Sequence, residues 1–371
     1  MVEKTQSIGS GSLYTLDGNL NIVPFIHDGD GCSYWRIKKP FEVMGLDLKA
    51  DNKTLEEHLS TAKMVTFNRT PGFRIDKLID LKVKYGFKIC IDWDDYWVLP
   101  HDHLIYKSWN QQRMPELAAE MVKELADVIT CTTDRLRNQL RKHTEKPIHV
   151  IPNAIPIGSG QWETPDRTYG GEAGTRFQGG KIIKDSGTRF GYVAGSSHLP
   201  DLKYLQPVLN HFPTLQLSLC GYNNPEERKG AKNVWDSMER IASFNYHNHN
   251  YRRVKTMGFD EYAHAYEHID VAIAPLKNNA FNSFKSSLKA YEAGAKKCAF
   301  ICTDTPPYRD DLPEDIVTFC GSNSDWVDAI KKHKDLGFVA DQAARLHEWV
   351  CENRNLYKLA ADRLELYNSF I

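Results

Sequence analysis

The feature that most constrains this chain is a repeated alternation of short, bare apolar runs with amphipathic stretches. In the first half, apolar runs fall at residues 20–26, 64–67, 87–91, 128–131 and 148–151. Helical patterns lie between them; in 116–126, Leu117, Met121 and Leu125 recur every fourth residue on one face. Runs this short, and apolar throughout, predict parallel strands covered on both faces by helices. The alternation stops across residues 158–187, which are rich in Gly, Thr, Asp and charge and include paired glycines at Gly170 and Gly179. That composition predicts a flexible, exposed connection. The alternation restarts with runs at 190–194, 215–220, 254–257, 271–275, 299–302 and 316–319, and residues 340 to 367 carry helical patterns only.

The expected architecture is α/β, with two Rossmann-like doubly wound parallel-sheet domains facing a cleft. The first domain spans 1–155, a linker or insertion 156–188, and the second domain 189–345; a final helical segment, 346–371, packs back on the first domain. A length of 371 residues suits two cores better than one. In open parallel sheets ligands bind beyond the carboxyl ends of the strands, so the loops after strands are where chemistry is sought. A net charge of -1 excludes a chain that is polyanion-binding over its whole surface and leaves only local basic patches. The eight cysteines form no CxxC pair, and five of them sit inside apolar runs, which predicts buried free thiols and a reducing, cytoplasmic setting. The first residues lack the apolar core of a signal peptide, and no apolar run has the length of a membrane span.

The most informative stretch is DVAIAPLKNNAFNSFKSSLKAYEAGA, residues 270–295. It predicts a buried strand, a polar loop, and a helix starting near Ser283 or Phe284. Lys285 and Ser286 then occupy the first helical turn, where backbone donors and the helix dipole already favour an anion. Lys285 suits a diphosphate, and Glu292, two turns on, could accept from a ribose diol. A solvated helix face with ordinary surface Lys and Glu fits the same spacing.

This stretch resembles the donor-site signature of the retaining, group-one (family 4-like) GT-B glycosyltransferases. The resemblance implies a nucleotide-diphosphate sugar as donor, held by Asn282, Lys285, Ser286 and Glu292, with no required cofactor. The run 281–289, with Phe281-Asn282, Lys285-Ser286 and Lys289, is a familiar variant. Many members carry a Glu eight residues before the ribose-binding one; here Phe284 stands there, so that contact with the transferred sugar is missing or supplied elsewhere. FGYVAGSSHLPDLKYL resembles the first strand and loop of the donor domain, with Gly195, Ser196 and Ser197 offering backbone amides to a phosphate. MGFDEYAHAYEHID resembles the base-recognition region, with Gly258 ending a strand, and VIPNAIP resembles the domain junction at Asn153.

The first half is expected to hold the acceptor. Asp28, Gly29, Asp30 and Gly31 form a flexible loop, followed by Tyr34, Trp35 and Arg36; aromatic rings beside an arginine suit either stacking on a ligand or anchoring a core. Asp92, Asp94 and Asp95 have a spacing that holds divalent metals in single-sheet transferases. With two sheets expected, a metal is not. His247 and His249 read as surface polar residues. The resemblance implies a front-face, retaining mechanism, with Lys285 stabilising the leaving diphosphate. An inverting enzyme needs a positioned base, and Asp28, Asp30, Asp95 and His101 are the candidates. The segments HDGDGCSYWR and CIDWDDYWVLPHDH resemble phage-encoded members that glycosylate hydroxymethylated DNA bases, which implies duplex DNA as acceptor and a bacterial host's cytoplasm. Arg135, Arg137, Arg141 and Lys142, with Arg252, Arg253 and Lys255, are the basic clusters that could meet phosphates. The alternatives are a glycan, lipid or protein acceptor, or a nucleotide-sugar epimerase.

Overall fold

The computed structural model describes residues 11–16, 21–27, 29–45, 48–50, 54–171, 175–178, 181–184, 187–223 and 234–371. The first sheet contains β1 (Gly11–Leu16), β2 (Ile22–His27), β3 (Leu48–Ala50), β4 (Met64–Asn68), β5 (Lys88–Trp93), β6 (Val128–Cys131) and β7 (Ile148–Val150), in the order β3-β1-β2-β4-β5-β6-β7. β2, β4, β5, β6 and β7 are parallel, while β1 runs antiparallel to both β2 and β3. A hairpin pairs β8 (Thr175–Gln178) with β9 (Lys181–Lys184). The second sheet is wholly parallel, with β10 (Phe190–Val193), β11 (Leu217–Tyr222), β12 (Arg252–Lys255), β13 (Val271–Ala274), β14 (Ala299–Thr303) and β15 (Thr318–Cys320) in the order β12-β11-β10-β13-β14-β15.

Bare apolar strands give this result because alternate side chains enter cores on opposite faces. In β13, Val271 and Ile273 join one buried cluster while Ala272 and Ala274 join another. In β2, Val23 and Phe25 face one core and Ile22 and Ile26 the other. A sheet buried on both faces has no polar side, so its strands cannot alternate polar with apolar.

Two features differ from the sequence expectation. The connection expected to be exposed is anchored: Trp162, 1% exposed, lies edge-on to Trp35 and Tyr262. Nearby, the Arg167 guanidinium donates to the carbonyls of Tyr266 and Ile269. The helix after β13 begins at Leu288, not near Ser283. Asn282–Phe284 is a short 3-10 turn, and Lys285, with ψ of 167°, is extended. Lys285 and Glu292 therefore do not share a helix face.

The helix Leu356–Asn368 lies against the first sheet, where Tyr367 stacks on Phe41 and its hydroxyl meets that of Thr66 at 3.3 Å. Beneath it, Asp92, fully buried, takes a bidentate bond from Arg36 at 2.7 and 2.9 Å and faces Arg363 at 3.6 Å. Burial alone would push the Asp92 carboxyl up, but the Arg36 charge and its hydrogen bonds outweigh that and hold it below the usual carboxylate range. Among the described residues, no helix is long and apolar enough to cross a membrane.

Candidate active site

The strand order of the second sheet places a switch point between β10 and β13. From β10 the chain moves to β11 and β12 on one side, then returns to β13 on the other. The loops leaving β10 and β13 consequently diverge and open a crevice at their carboxyl ends, which is where this architecture binds ligands. Asp201 ties the two loops together. One of its carboxylate oxygens accepts from the Lys277 backbone amide at 2.8 Å and from the Asn282 amide at 3.3 Å. The other meets His198 Nδ1 at 2.8 Å. The Asn282 side-chain amide also donates to the Lys277 carbonyl at 2.8 Å, so Asn282 shapes the loop.

A cavity of about 420 Å³ opens at the ends of β10, β11 and β12. Gly195 and Ser196 line it from the β10 loop, and Lys289 and Glu292 line it from the helix Leu288–Ala295. Gly31 and Trp35 close it from the first domain. Lys289 and Glu292 are three residues apart, which puts them on one helix face. Glu292 accepts from the hydroxyls of Tyr262 and Tyr266, one on each oxygen. Burial pushes its carboxyl up, and this outweighs the Lys289 charge and both tyrosine donors. Lys289 donates to the Val193 carbonyl at 2.7 Å, at the tip of β10. Burial pushes its ammonium down, opposed by Glu292 and reinforced by Lys285. Sequence reasoning left Lys289 out of the donor set because it placed the helix start too early; with the start at Leu288, the Lys-x-x-Glu spacing is the signal.

Lys285 is elsewhere. Its ammonium lies over the Phe281 ring and reaches across the domain boundary to Asp95 at 3.0 Å. Ser286 accepts at 2.7 Å from Asn153, whose carbonyl oxygen is bonded by Arg36. Ser197 lines two neighbouring hollows with Asp102. Gly258 sits in the turn after β12, its carbonyl accepting from Glu261 and Tyr262, and does not line the cavity.

The first-domain candidates divide sharply. Asp28 lies outside the described residues. Gly29, at φ +82°, forms a turn with open space around it, and Gly31 faces the Phe259 ring so closely that a Cβ there would stand 3.2 Å from it. Asp30 caps the helix that follows by accepting from the amides of Cys32 and Ser33. Tyr34 stacks on Phe259 and donates to Asp260, joining the domains. Trp35 alone of the aromatic pair lines the cavity. Arg36 differs from its expected place at the cleft: 2% exposed, it points into the first domain because Asp92 and the Ile151 carbonyl draw it there. Asp94 takes a bidentate bond from Arg69 at 2.7 and 2.8 Å. Among the described residues, no group of three or more His, Cys, Asp or Glu side chains is arranged to hold a metal ion. His101 packs on Tyr106, 4.5 Å between centroids, whereas His103 faces Phe281 across the boundary.

No family profile matches the sequence, and no curated protein sequence does either. The fold, however, matches solved structures over most of the chain. Anabaena HepE in complex with UDP-glucose is 10% identical, with a TM-score of 0.64, covering 94% of this chain and 91% of that one. Sucrose-phosphate synthase from Thermosynechococcus elongatus is 13% identical, with a TM-score of 0.61, covering 87% and 80%. A UDP-forming alpha,alpha-trehalose-phosphate synthase from Burkholderia vietnamiensis is 11% identical, with a TM-score of 0.54, covering 82% and 72%. The chain has the GT-B fold: two parallel-sheet α/β domains whose strand ends face each other.

Proposed function

We propose that this protein is a glycosyltransferase that moves a sugar from a nucleoside diphosphate sugar to an acceptor hydroxyl with retention of configuration. The observation carrying this is the cavity at the ends of β10, β11 and β12, where Lys289 and Glu292 share one helix face opposite Gly31 and Trp35. Glu292 receives the ribose hydroxyls. The Gly195–Ser196 backbone and Lys289 receive the diphosphate, Lys289 taking the role the sequence assigned to Lys285. In the reaction the acceptor oxygen bonds to the anomeric carbon. The bond from that carbon to the phosphate oxygen breaks, and the nucleoside diphosphate leaves with the electron pair and takes up the hydroxyl proton. Charge stabilisation and positioning supply the rate. Retention is supported by the engagement of two of the candidate bases, Asp30 with backbone amides and Asp95 with Lys285, which leaves those two poorly set to act as a base.

Duplex DNA with hydroxymethylated bases is the acceptor implied by the resemblance of two first-domain segments. Three of the seven basic residues that would meet its phosphates are paired within the chain: Arg135 with Asp310, Arg137 with Asp134 and Arg253 with Glu239. A glycan acceptor is the second reading, and these pairings favour it.

The deciding experiment measures nucleotide release from a panel of nucleotide sugars, alone and with each acceptor, alongside nucleotide affinity of Lys289→Met and Glu292→Gln. Each variant should bind nucleoside diphosphate about tenfold to a hundredfold more weakly, as loss of a charge-assisted hydrogen bond requires. Unchanged affinity in both would sink the site assignment. Acceptor-independent conversion of the sugar would mark an epimerase instead.

A further inference from the structure

On the far side of Lys285 from the nucleotide cavity lies a second hollow, of about 130 Å³, walled by both domains. Lys285 lines it and also lines the smaller hollow beside His198 and Ser197. Ser197 continues into the next hollow, and Ser196 carries that one into the nucleotide cavity. The four spaces adjoin one another in that order through these shared residues, with Lys285 near one end and Glu292 at the other. A donor lying along them with its ribose at Glu292 points its sugar toward Lys285, so what lies beyond Lys285 is placed to receive that sugar.

The lining of the terminal hollow defines what fits. Its ionic groups are Asp134, Asp310 and Asp311 against Arg135, Lys285 and Arg354, three of each sign. They are already paired or held in place: Arg135 with Asp310 at 2.7 Å, Arg354 with Asp311, and Lys285 with Asp95 outside the hollow at 3.0 Å. Thr133 and Ser283 add hydroxyls, and the only aromatic side chain of the lining is Tyr291, which is buried with its hydroxyl on Asp311. Balanced charges with spare lone pairs and N–H groups bind a neutral ligand rich in hydroxyls. A phosphorylated ligand would need a net positive lining. A flipped base would need a stacking surface.

We infer that this hollow is the acceptor seat and that it takes an uncharged carbohydrate. This rests on the glycosyltransferase reading. The test uses the full chain with its best nucleotide sugar and three probes: a set of methyl hexopyranosides, the corresponding sugar phosphates, and duplex DNA containing 5-hydroxymethylcytosine. The neutral glycosides should be the preferred acceptors. The double variant Asp134→Asn, Asp310→Asn removes rim groups whose exposed pairs add little to stability. It should raise the KM for the glycosides about tenfold, the loss expected of hydrogen bonds to charged groups, and shift preference toward the sugar phosphates. Transfer to the DNA but not to glycosides, or a glycoside KM unmoved in the double variant, would overturn the inference. Failure to bind or cleave any nucleotide sugar would instead remove the reading on which it rests.

Discussion

Glu292 is a buried carboxyl whose charge is supported by Lys289 and two tyrosine hydroxyls, yet whose surroundings favour the neutral form. If the carboxylate is the form that accepts from ribose, nucleotide affinity falls as pH is lowered through that raised value. Tyr266→Phe removes a donor that favours the charged form, so the acid limb of binding should move to higher pH. Calorimetric titration of a nucleoside diphosphate across pH in parent and variant checks this; an unmoved limb would mean Tyr266 only packs. Lys285 and Lys289 separate by the same logic. Lys289→Met should weaken a diphosphate more than the matching nucleoside, whereas Lys285→Ala should leave nucleoside diphosphate affinity near the parent value and lower the transfer rate. Equal losses in both variants would return Lys285 to the phosphate. The sequence pointed to Glu292 through its spacing from Lys285 and through the resemblance, although the helix face that spacing assumed is not shared. It could not reveal Arg36, since a guanidinium buried on Asp92 and one waiting in a cleft look the same in a string of letters.

Helix Leu288–Ala295 carries both candidate donor residues, and its position is set by close packing. At Gly294 a Cβ would stand 2.7 Å from Val350 and 3.0 Å from the Leu346 side chain, both on the helix Leu336–Asn353. Gly294→Ala should therefore destabilise by about 1–3 kcal/mol through overpacking, read by urea denaturation, and should weaken nucleotide binding by tilting Lys289 and Glu292. A variant as stable as the parent would show that the neighbouring helix yields. Most strands of the two sheets were legible because burial on both faces writes itself as an unbroken apolar run; the edge strand β12, largely exposed, overlaps the expected run 254–257 only in part. The antiparallel strands β1 and β3 and the hairpin β8–β9 were not, for polar and glycine-rich segments read as loops whether or not they pair. The helix start was misplaced for a local reason: Ser283, Ser286 and Ser287 are all plausible caps, and the Ser287 hydroxyl donates to the Pro307 carbonyl instead of capping.

At the scale of the molecule, the domains meet through the loops after their strands. Lys277 binds Asp102 at 2.6 Å and Lys285 binds Asp95, while Tyr96 meets Phe284 edge-on. The twofold alternation made two such sheets legible, but charge partners across a boundary have no sequence spacing to betray them. The deepest ionic element is Asp92 between Arg36 and Arg363. Asp92→Ala would leave two buried guanidiniums without their carboxylate and should cost about 3–5 kcal/mol. Because the Asp92 carboxyl is held below its ordinary value, its stabilisation is complete above the usual carboxylate range and is lost as pH falls beneath it. The variant should accordingly unfold with a shallower dependence on acid than the parent, followed by circular dichroism. Equal stability of the two proteins at neutral pH would show that the guanidiniums find water instead.

The helix Leu356–Asn368 completes a wall begun far earlier. Thr66 and Tyr367 touch although 301 positions separate them. A ribosome adding about 5–20 residues each second needs roughly 15–60 s to cover that interval. Until residues 363 to 367 follow, Asp92 lacks Arg363 and one apolar face of the first sheet, that of Ile22, Ile26 and Met64, is uncovered by Tyr367. The first domain is thus finished only after the second has been made, and its core is assembled in two instalments separated by a whole domain.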